Sequence, residues 1–209
     1  MNSRAWLLIL LAASYCCSLD LFASGWEYYL EYQLRVPLVR DAGVSAFFKE
    51  ETRYRDNDLY YRKTFFGVSK KINQSLDLSF LFAFREFKSR QWRNLYLFWP
   101  EANYTLKIKD FRLVSNTKLE RHTSQRFWKL RENMRLLYPL NSRFTVWTGY
   151  EFRHFFFKGY PLDHEFLAGV NSKVFDHFAA NIYYDFNNTR ELGRRKRTNC
   201  LRTVFDIKF

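Results

Sequence analysis

The stretch "SLDLSFLFAFRE" (75–86) decides the fold class of this chain. Apolar side chains occupy every even position from Leu76 to Phe84, whereas Asp77, Ser79 and Arg85 occupy odd positions. Successive side chains of a β-strand point to opposite faces, whereas a helical stripe repeats about every 3.6 residues. The stretch therefore predicts a strand with one apolar face and one more polar face.

The same period of two recurs along most of the sequence. It is clear in "WEYYLEYQLRV" (26–36), "ANYTLKIK" (102–109), "FTVWTGYEFR" (144–153), "FLAGVNSKV" (166–174) and "FAANIYYDF" (178–186). No stretch of similar length has a convincing helical stripe, so the chain is predicted to be all-β. Eleven candidate strands can be counted. Because single-chain bacterial barrels usually have an even number, we favour twelve strands, then ten, and expect the twelfth within "QWRNLYLFW" (91–99).

The connections between these segments alternate in length. Short turns such as "INQS" (72–75) and "PLNS" (139–142) alternate with longer polar links such as "YRDND" (54–58) and "NNTRELGRRKRTN" (187–199). Outer-membrane barrels have short periplasmic turns and longer external loops. We therefore expect residues 24–209 to form a single antiparallel up-and-down transmembrane β-barrel of 10–12 strands.

The N-terminal segment predicts export. Residues 1–23 hold one arginine, an apolar run from Ala5 to Ala13 and then small residues, which is the pattern of a secretory signal peptide cleaved after Ala23 or Ser18. Together with an aromatic content of 21%, which suits a lipid–water boundary, this favours the bacterial outer membrane over a soluble barrel. The net charge of +13 indicates anionic partners. Export excludes nucleic acid, so the expected partners are lipid, lipopolysaccharide and the barrel-assembly machinery.

The sequence ends on "VFDIKF" (204–209). Phe205, Ile207 and Phe209 share one face of the predicted last strand, and Asp206 lies on the other. A terminal aromatic residue on such a strand resembles the signal that the assembly machinery reads in outer-membrane proteins. We predict that these three apolar residues form the C-terminal assembly signal.

In a membrane barrel the apolar faces meet lipid, so the charged faces line the lumen. The predicted basic lumen residues are Arg35, Arg85, Lys107, Arg112, Lys118, Arg131, Arg135, Arg153 and Arg202, and the acidic ones are Glu31, Glu120, Glu151, Asp185 and Asp206. An excess of guanidinium groups in a narrow lumen favours anions, because arginine binds carboxylates in bidentate fashion. The leading hypothesis is a small pore or binding barrel for anionic solutes, for example uronate-type oligosaccharides. The alternative is a non-conducting structural envelope barrel, in which these charges pair with one another across strands.

A third hypothesis is catalytic. His122 and Ser124 are two residues apart, so on a strand both side chains lie on one face. An H-x-S pair resembles outer-membrane acyl hydrolases, in which histidine acts as general base for a serine nucleophile. A polar strand end is the simpler explanation, and an enzyme is not the leading prediction. Because the four histidines are scattered and no cysteine cluster exists, neither a metal nor a cofactor is predicted.

Several segments together resemble a known family. They are "GWEYYLEYQL" (25–34), "FKEETRYRDND" (48–58), "LYYRKTFFGVSKKI" (59–72), "FRLVSNTKLERH" (111–122), "KLRENMRLLYPL" (129–140), "EFLAGVNSKV" (165–174) and "VFDIKF" (204–209). They are similar to the domain of unknown function 2490 family of bacterial outer-membrane barrels, over nearly the whole mature chain. The resemblance implies the barrel fold and the outer-membrane location. It implies no activity, so no functional residues are transferred from it.

Overall fold

A computed structural model describes residues 26–56, 58–88, 92–122, 128–156, 163–191 and 194–208. These residues form eleven strands that close into one barrel, in which each strand pairs with its neighbours in sequence and the last pairs with the first. The strands are β1 (Trp26–Val39), β2 (Val44–Arg55), β3 (Asp58–Lys71), β4 (Leu76–Lys88), β5 (Trp92–Ile108), β6 (Phe111–His122), β7 (Trp128–Pro139), β8 (Phe144–Phe155), β9 (Asp163–Phe175), β10 (Phe178–Glu191) and β11 (Arg194–Lys208). The predicted all-β barrel is confirmed. The predicted signal peptide, residues 1–23, lies outside the described residues.

The predicted number of twelve strands is wrong, because the described part of the chain forms eleven. The stretch 91–99 was expected to hold the additional strand. Residues from Trp92 onward instead form the first half of β5, which continues to Ile108. Pro100 lies inside β5 without ending it. Since proline lacks a backbone N–H, it interrupts only the ladder towards β6.

An odd number of strands cannot alternate in direction all the way round a closed barrel, so one pair must be parallel. This pair is β1 and β11, where Leu30 lies beside Thr203. The Tyr28 hydroxyl donates a hydrogen bond of 3.2 Å to Thr203 Oγ1 across the seam. The expectation of a wholly antiparallel barrel is therefore wrong at this seam. As a result, Trp26 and Lys208 lie at opposite ends of the barrel.

At the end of the barrel where β11 finishes, every link has two to four residues. We name this end the turn end and the opposite end the loop end. The links at the turn end are 40–43, 72–75, 109–110, 140–143 and 176–177. Two of them close in the same way: Asn73 Oδ1 accepts a bond of 2.8 Å from the Leu76 amide, and Asn141 Oδ1 accepts one of 2.8 Å from the Phe144 amide. In the 40–43 link, Gly43 has a backbone φ of 62°, which only glycine adopts without strain.

Two of the links predicted to be long are mostly strand. Only residues 56–57 separate β2 from β3, where a link over 54–58 was expected. The predicted link over 187–199 is a hairpin, in which β10 and β11 remain paired as far as Glu191 and Arg194. The reason is that backbone groups make the ladder, so a run of charged side chains does not prevent pairing.

The barrel has reversed polarity compared with a soluble protein. Large apolar side chains face outward and stay exposed, for example Phe80 at 57% and Phe166 at 55%. Charged side chains face inward and are buried, for example Glu165 at 1% and Asp185 at 0% exposed. The alternation in each strand therefore places its polar face inside the barrel.

Two inward-facing glycines make room for large neighbours. The Phe47 ring lies against Gly67, and a Cβ at that position would approach Phe47 Cε1 to 2.9 Å. Tyr183 packs against Gly169, where an added Cβ would approach the Ile182 carbonyl oxygen to 2.7 Å. A small residue beside a large one allows the narrow interior to fill without overlap.

A few polar groups interrupt the apolar outer face. Glu50 accepts a hydrogen bond of 2.8 Å from Arg62 Nε on the neighbouring strand. Glu132 accepts hydrogen bonds from the hydroxyls of Ser115 and Thr117. These two outward-facing carboxylates therefore have local hydrogen-bond donors, which lowers the cost of keeping them on an apolar surface.

Candidate functional site in the barrel interior

A continuous series of ion pairs crosses the interior faces of β6 to β11. We name it the ion-pair ladder, and its members in order are Lys129, Glu120, Arg131, Glu151, Arg153, Glu165, Arg202 and Asp185. All of these side chains lie on the inward faces of their strands, where acidic and basic residues of neighbouring strands meet.

The middle of the ladder is held by charge-assisted hydrogen bonds. Arg131 bridges two carboxylates, with Nη1 at 2.9 Å from Glu120 Oε1 and Nη2 at 2.7 Å from Glu151 Oε1. Arg153 Nε donates to the same Glu151 oxygen at 2.8 Å. Asn133 Nδ2 donates to the other Glu151 oxygen at 2.9 Å. Glu151 is thus saturated with donors, which makes its charge tolerable at low exposure.

The ladder ends at the β10–β11 side of the lumen. Arg202 forms an ion pair with Asp185 and lies 3.6 Å from Glu165 Oε2. Arg153 joins Glu165 to the rest of the ladder. Because both carboxylates are almost fully buried, the two arginines are their essential counter-charges.

Aromatic rings surround cations on the opposite side of the lumen, where Arg53 also forms an ion pair with Glu51. We name this group the aromatic–cation cluster; it consists of Tyr29, Arg53, Tyr61, Lys63, Phe65 and Trp99 on β1, β2, β3 and β5. Arg53 Cζ lies 4.2 Å from the Tyr29 ring centroid and 4.1 Å from that of Tyr61. Lys63 Nζ lies 4.3 Å from the Phe65 centroid and 4.5 Å from that of Trp99. Ring faces attract these cations through their quadrupoles.

An apolar group packs against the aromatic–cation cluster. Phe65 and Trp99 pack edge to face, with ring centroids 5.5 Å apart, against Leu81, Ala83 and Leu97. This part of the interior therefore resembles the core of a soluble protein, whereas the ladder is almost wholly polar.

A cavity of about 270 Å³ lies between the ladder and the cluster, and we name it the central cavity. Its basic lining residues are Lys49, Arg53, Lys63, Lys118, Arg131, Arg135 and Arg202, and its acidic ones are Glu31, Glu51, Glu151 and Glu165. The side-chain amides that line it belong to Gln33, Asn103, Asn116, Asn133 and Asn181. Positive charge exceeds negative charge, and the amides add both donors and acceptors.

Two cations of the central cavity lack a carboxylate partner. Most of the basic lining residues are paired, for example Lys49 with Glu31 at 2.8 Å. Within the described part of the chain, neither Lys63 nor Arg135 forms an ion pair. Arg135 Nε donates to Asn133 Oδ1 at 2.7 Å, and its Cζ lies 4.6 Å from the Trp147 ring. These two side chains therefore carry the excess positive charge of the cavity.

The structure places the sequence-predicted lumen residues on the inward faces of their strands. Arg131, Arg153, Arg202, Glu120, Glu151 and Asp185 join the ladder, Glu31, Lys118 and Arg135 line the central cavity, and Arg35, Arg85 and Asp206 lie nearer the ends. Lys107 and Arg112 lie next to each other beside the 109–110 link, where both are exposed. The predicted lumen residues thus fall into separate groups at different places in the lumen.

Sequence reasoning missed several interior charges. They are Lys49, Glu51, Arg53, Lys63, Lys129 and Glu165. In β2 charged residues occupy both faces, since Glu50 points outward while Glu51 points inward. The alternation of apolar and polar residues in β2 therefore does not show which face lines the lumen. Only the pairing of β2 with β1 and β3 reveals it.

The catalytic hypothesis and the assembly signal are only partly covered by the described residues. His122 is the last residue of β6, and Ser124 lies outside the described residues, so the H-x-S pair stays a prediction. Phe205 and Ile207 lie on the outer face of β11. The Phe205 ring stacks with Tyr32 at 5.5 Å and with Phe178 at 5.8 Å. Phe209 also lies outside the described residues.

The described residues hold neither a candidate metal site nor a membrane-spanning helix. Over the described residues, no three histidine, cysteine, aspartate or glutamate side chains come close enough together to hold a metal ion. No helix in the same residues has the length and apolar character needed to cross a membrane.

Fold and interior together define a closed β-barrel whose lumen is lined and largely filled by charged side chains. No protein-family model matches the chain, and no curated protein matches it either. The resemblance to the domain of unknown function 2490 family therefore stays a prediction. Among solved structures, the chain is similar to one titled "KdgM porin", with 13% sequence identity and a TM-score of 0.48, over 88% of this chain and 99% of the other.

Proposed function

We propose that this protein is an outer-membrane β-barrel. The observation that carries the proposal is the reversed polarity, with buried charges inside and a continuous band of exposed apolar side chains outside. Exposed members of this band include Phe66, Phe82, Tyr96, Met134 and Ile182. Soluble monomers rarely expose so much apolar surface, whereas transmembrane barrels require it.

Aromatic pairs near both ends of the outer face support this location. At the loop end Trp26 packs with Tyr184 at 5.9 Å. At the turn end Phe111 packs with Tyr138 at 5.0 Å. Amphipathic rings at two levels suit the two lipid–water interfaces of a bilayer. In the proposed orientation the short links face the periplasm, and the loop end contacts lipopolysaccharide.

We infer further that the central cavity binds small anions. Lys63 and Arg135 form no ion pair within the described chain, and the neighbouring amides offer further donors. An anion entering the cavity would meet both cations in a site screened from bulk water, where Coulomb attraction is stronger than in solution. The cavity volume of about 270 Å³ suits a small solute better than a polymer chain.

Planar-bilayer conductance in a potassium chloride gradient tests whether the central cavity belongs to an anion-selective pore. The wild-type barrel is expected to show discrete anion-selective steps. Neutral variants Lys63→Met and Arg135→Gln remove one unpaired charge each, and each should shift the reversal potential towards cation selectivity. The matched control is Lys70→Met, because Lys70 is exposed on the same strand as Lys63 and faces outward. Unchanged selectivity in both cavity variants would refute the role of the central cavity.

A non-conducting structural barrel is the second candidate, and the ion-pair ladder favours it. The ladder fills the β6–β11 side of the lumen with side chains that are already paired. Absence of discrete steps in the wild-type protein, with normal recovery in the outer-membrane fraction, would support this candidate and reject the pore. Recovery in a soluble fraction would reject the membrane location itself.

A further inference from the structure

The turn end of the lumen holds a second cavity, of about 350 Å³, separate from the central cavity. We propose that this turn-end pocket binds a small organic acid that carries a hydroxyl or amino group next to its acid group. The residues that argue for this ligand are Arg35, Arg40, Ser45, Ser69, Lys71 and Asp77. The proposal does not require the lumen to conduct.

The pocket exists because two small side chains leave space beside an ion pair of longer side chains. Ser45 and Ser69 are paired neighbours on β2 and β3 and leave space at this level of the wall. Arg35 on β1 and Asp77 on β4 reach towards each other past these two strands, and Arg35 Nη1 lies 3.6 Å from Asp77 Oδ2. The ion pair thus forms one side of the pocket and the serines form the other.

The Arg35–Asp77 pair is incompletely satisfied. Arg35 Nε and Asp77 Oδ1 are both buried, and neither has a hydrogen-bond partner within the described residues. Buried polar atoms normally have partners, so an unused donor beside an unused acceptor indicates a ligand that supplies both. An acid group fits the donor, and a hydroxyl or ammonium hydrogen fits the acceptor.

The other charges of the pocket define the ligand further. Arg40 and Lys71 add two positive charges, so Asp77 is outnumbered and the pocket favours an anion. The serine hydroxyls can donate to a carboxylate or accept from a hydroxyl. The rim is fixed, because the Lys71 amide donates to the Gly43 carbonyl at 2.9 Å. A rigid rim reduces the ordering cost of binding.

Isothermal titration calorimetry of the full-length barrel in detergent tests the pocket with three three-carbon acids. Glycerate carries a hydroxyl next to its acid group, alanine carries an ammonium group there, and propionate carries neither. We expect glycerate, alanine or both to bind at least tenfold more tightly than propionate. The stronger of the two identifies which donor Asp77 accepts. Equal binding of all three acids, or no binding of any, would overturn the proposal.

Four variants locate the binding. Asp77→Ala removes the acceptor and should abolish the preference over propionate, and Ser69→Val fills the pocket without changing a charge and should weaken binding at least tenfold. Asp41→Ala, at an exposed position in the adjoining 40–43 link, is the control and should bind normally. Lys63→Met in the central cavity should also bind normally. Loss of binding in Lys63→Met alone would place the ligand in the central cavity, which would overturn the turn-end pocket and leave the proposed function standing.

Discussion

The two sides of the barrel interior stabilise buried cations by different means. On β6–β11 the ion-pair ladder gives each arginine one or more carboxylates, as Arg131 has Glu120 and Glu151. On β1–β5 the aromatic–cation cluster gives Lys63 the faces of Phe65 and Trp99 instead. A carboxylate cancels the charge of its partner, whereas a ring face stabilises a cation and leaves its charge in place. The two cavity cations without an ion-pair partner, Lys63 on this side and Arg135 on β7, both lie against aromatic rings instead.

The two arrangements should also respond differently to mutation. In the ladder the loss of one charge leaves an oppositely charged group buried without a partner, which is the costly outcome for an ion pair. In the cluster the loss of Lys63 breaks no ion pair of the described chain and leaves aromatic rings, which tolerate an apolar neighbour. The contrast can be tested by making the same kind of substitution on each side.

The largest expected effect is that of Arg153→Met in the ladder. Removing this guanidinium takes a donor from Glu151 and the ion-pair partner that joins Glu165 to the ladder. We expect the free energy of unfolding to fall by about 3–5 kcal/mol, measured by urea titration in lipid vesicles. The matched substitution Lys63→Met in the cluster should cost less than about 1 kcal/mol, because it breaks no ion pair of the described chain. Equal losses in the two variants would show that the distinction between the two sides is false.

A somewhat smaller loss of stability is expected from Leu81→Ala, in the apolar group that packs against the cluster. Leu81 is 3% exposed and packs in the apolar group with Phe65 and Trp99. Truncation should lower the free energy of unfolding by about 2–4 kcal/mol, through lost apolar burial and the cavity left behind. Leu140→Ala, in the exposed 140–143 link, serves as the control in the same titration. A negligible loss in Leu81→Ala would mean that the cluster does not depend on this apolar support.

Period-two alternation was sufficient to predict most of the ladder. Arg131, Glu151 and Arg202 lie in strands with one clearly apolar face, so local parity alone places their side chains inside. The fold class follows from the same pattern, because every strand of the described chain needs two neighbours and a closed barrel provides them.

The cluster could not be predicted in the same way. β2 carries charges on both faces, so the inward position of Glu51 and Arg53 depends on its register with β1 and β3. The ring contacts of Lys63 join β3 to β5, which are not adjacent, so barrel closure and side-chain packing decide them. The strand count was mispredicted for another reason: the even number usual in bacterial barrels was preferred to the eleven segments counted in the sequence. The stretch 91–99 belongs to β5, which continues through Pro100.

The smallest expected effect compares one inward-facing glycine on each side of the interior. At Gly169 an added Cβ would meet the backbone carbonyl of Ile182 at 2.7 Å and the Cβ of Tyr183, groups that cannot move without shifting β10. At Gly67 one obstacle is the end of the Phe47 ring, which can rotate away, and the Phe80 carbonyl is less close, at 2.9 Å. We expect Gly169→Ala to cost about 1–3 kcal/mol and Gly67→Ala to cost less, in the same urea titration. If Gly67→Ala proved the more damaging, the Phe47 ring beside Gly67 would be held more rigidly than the Ile182–Tyr183 backbone beside Gly169.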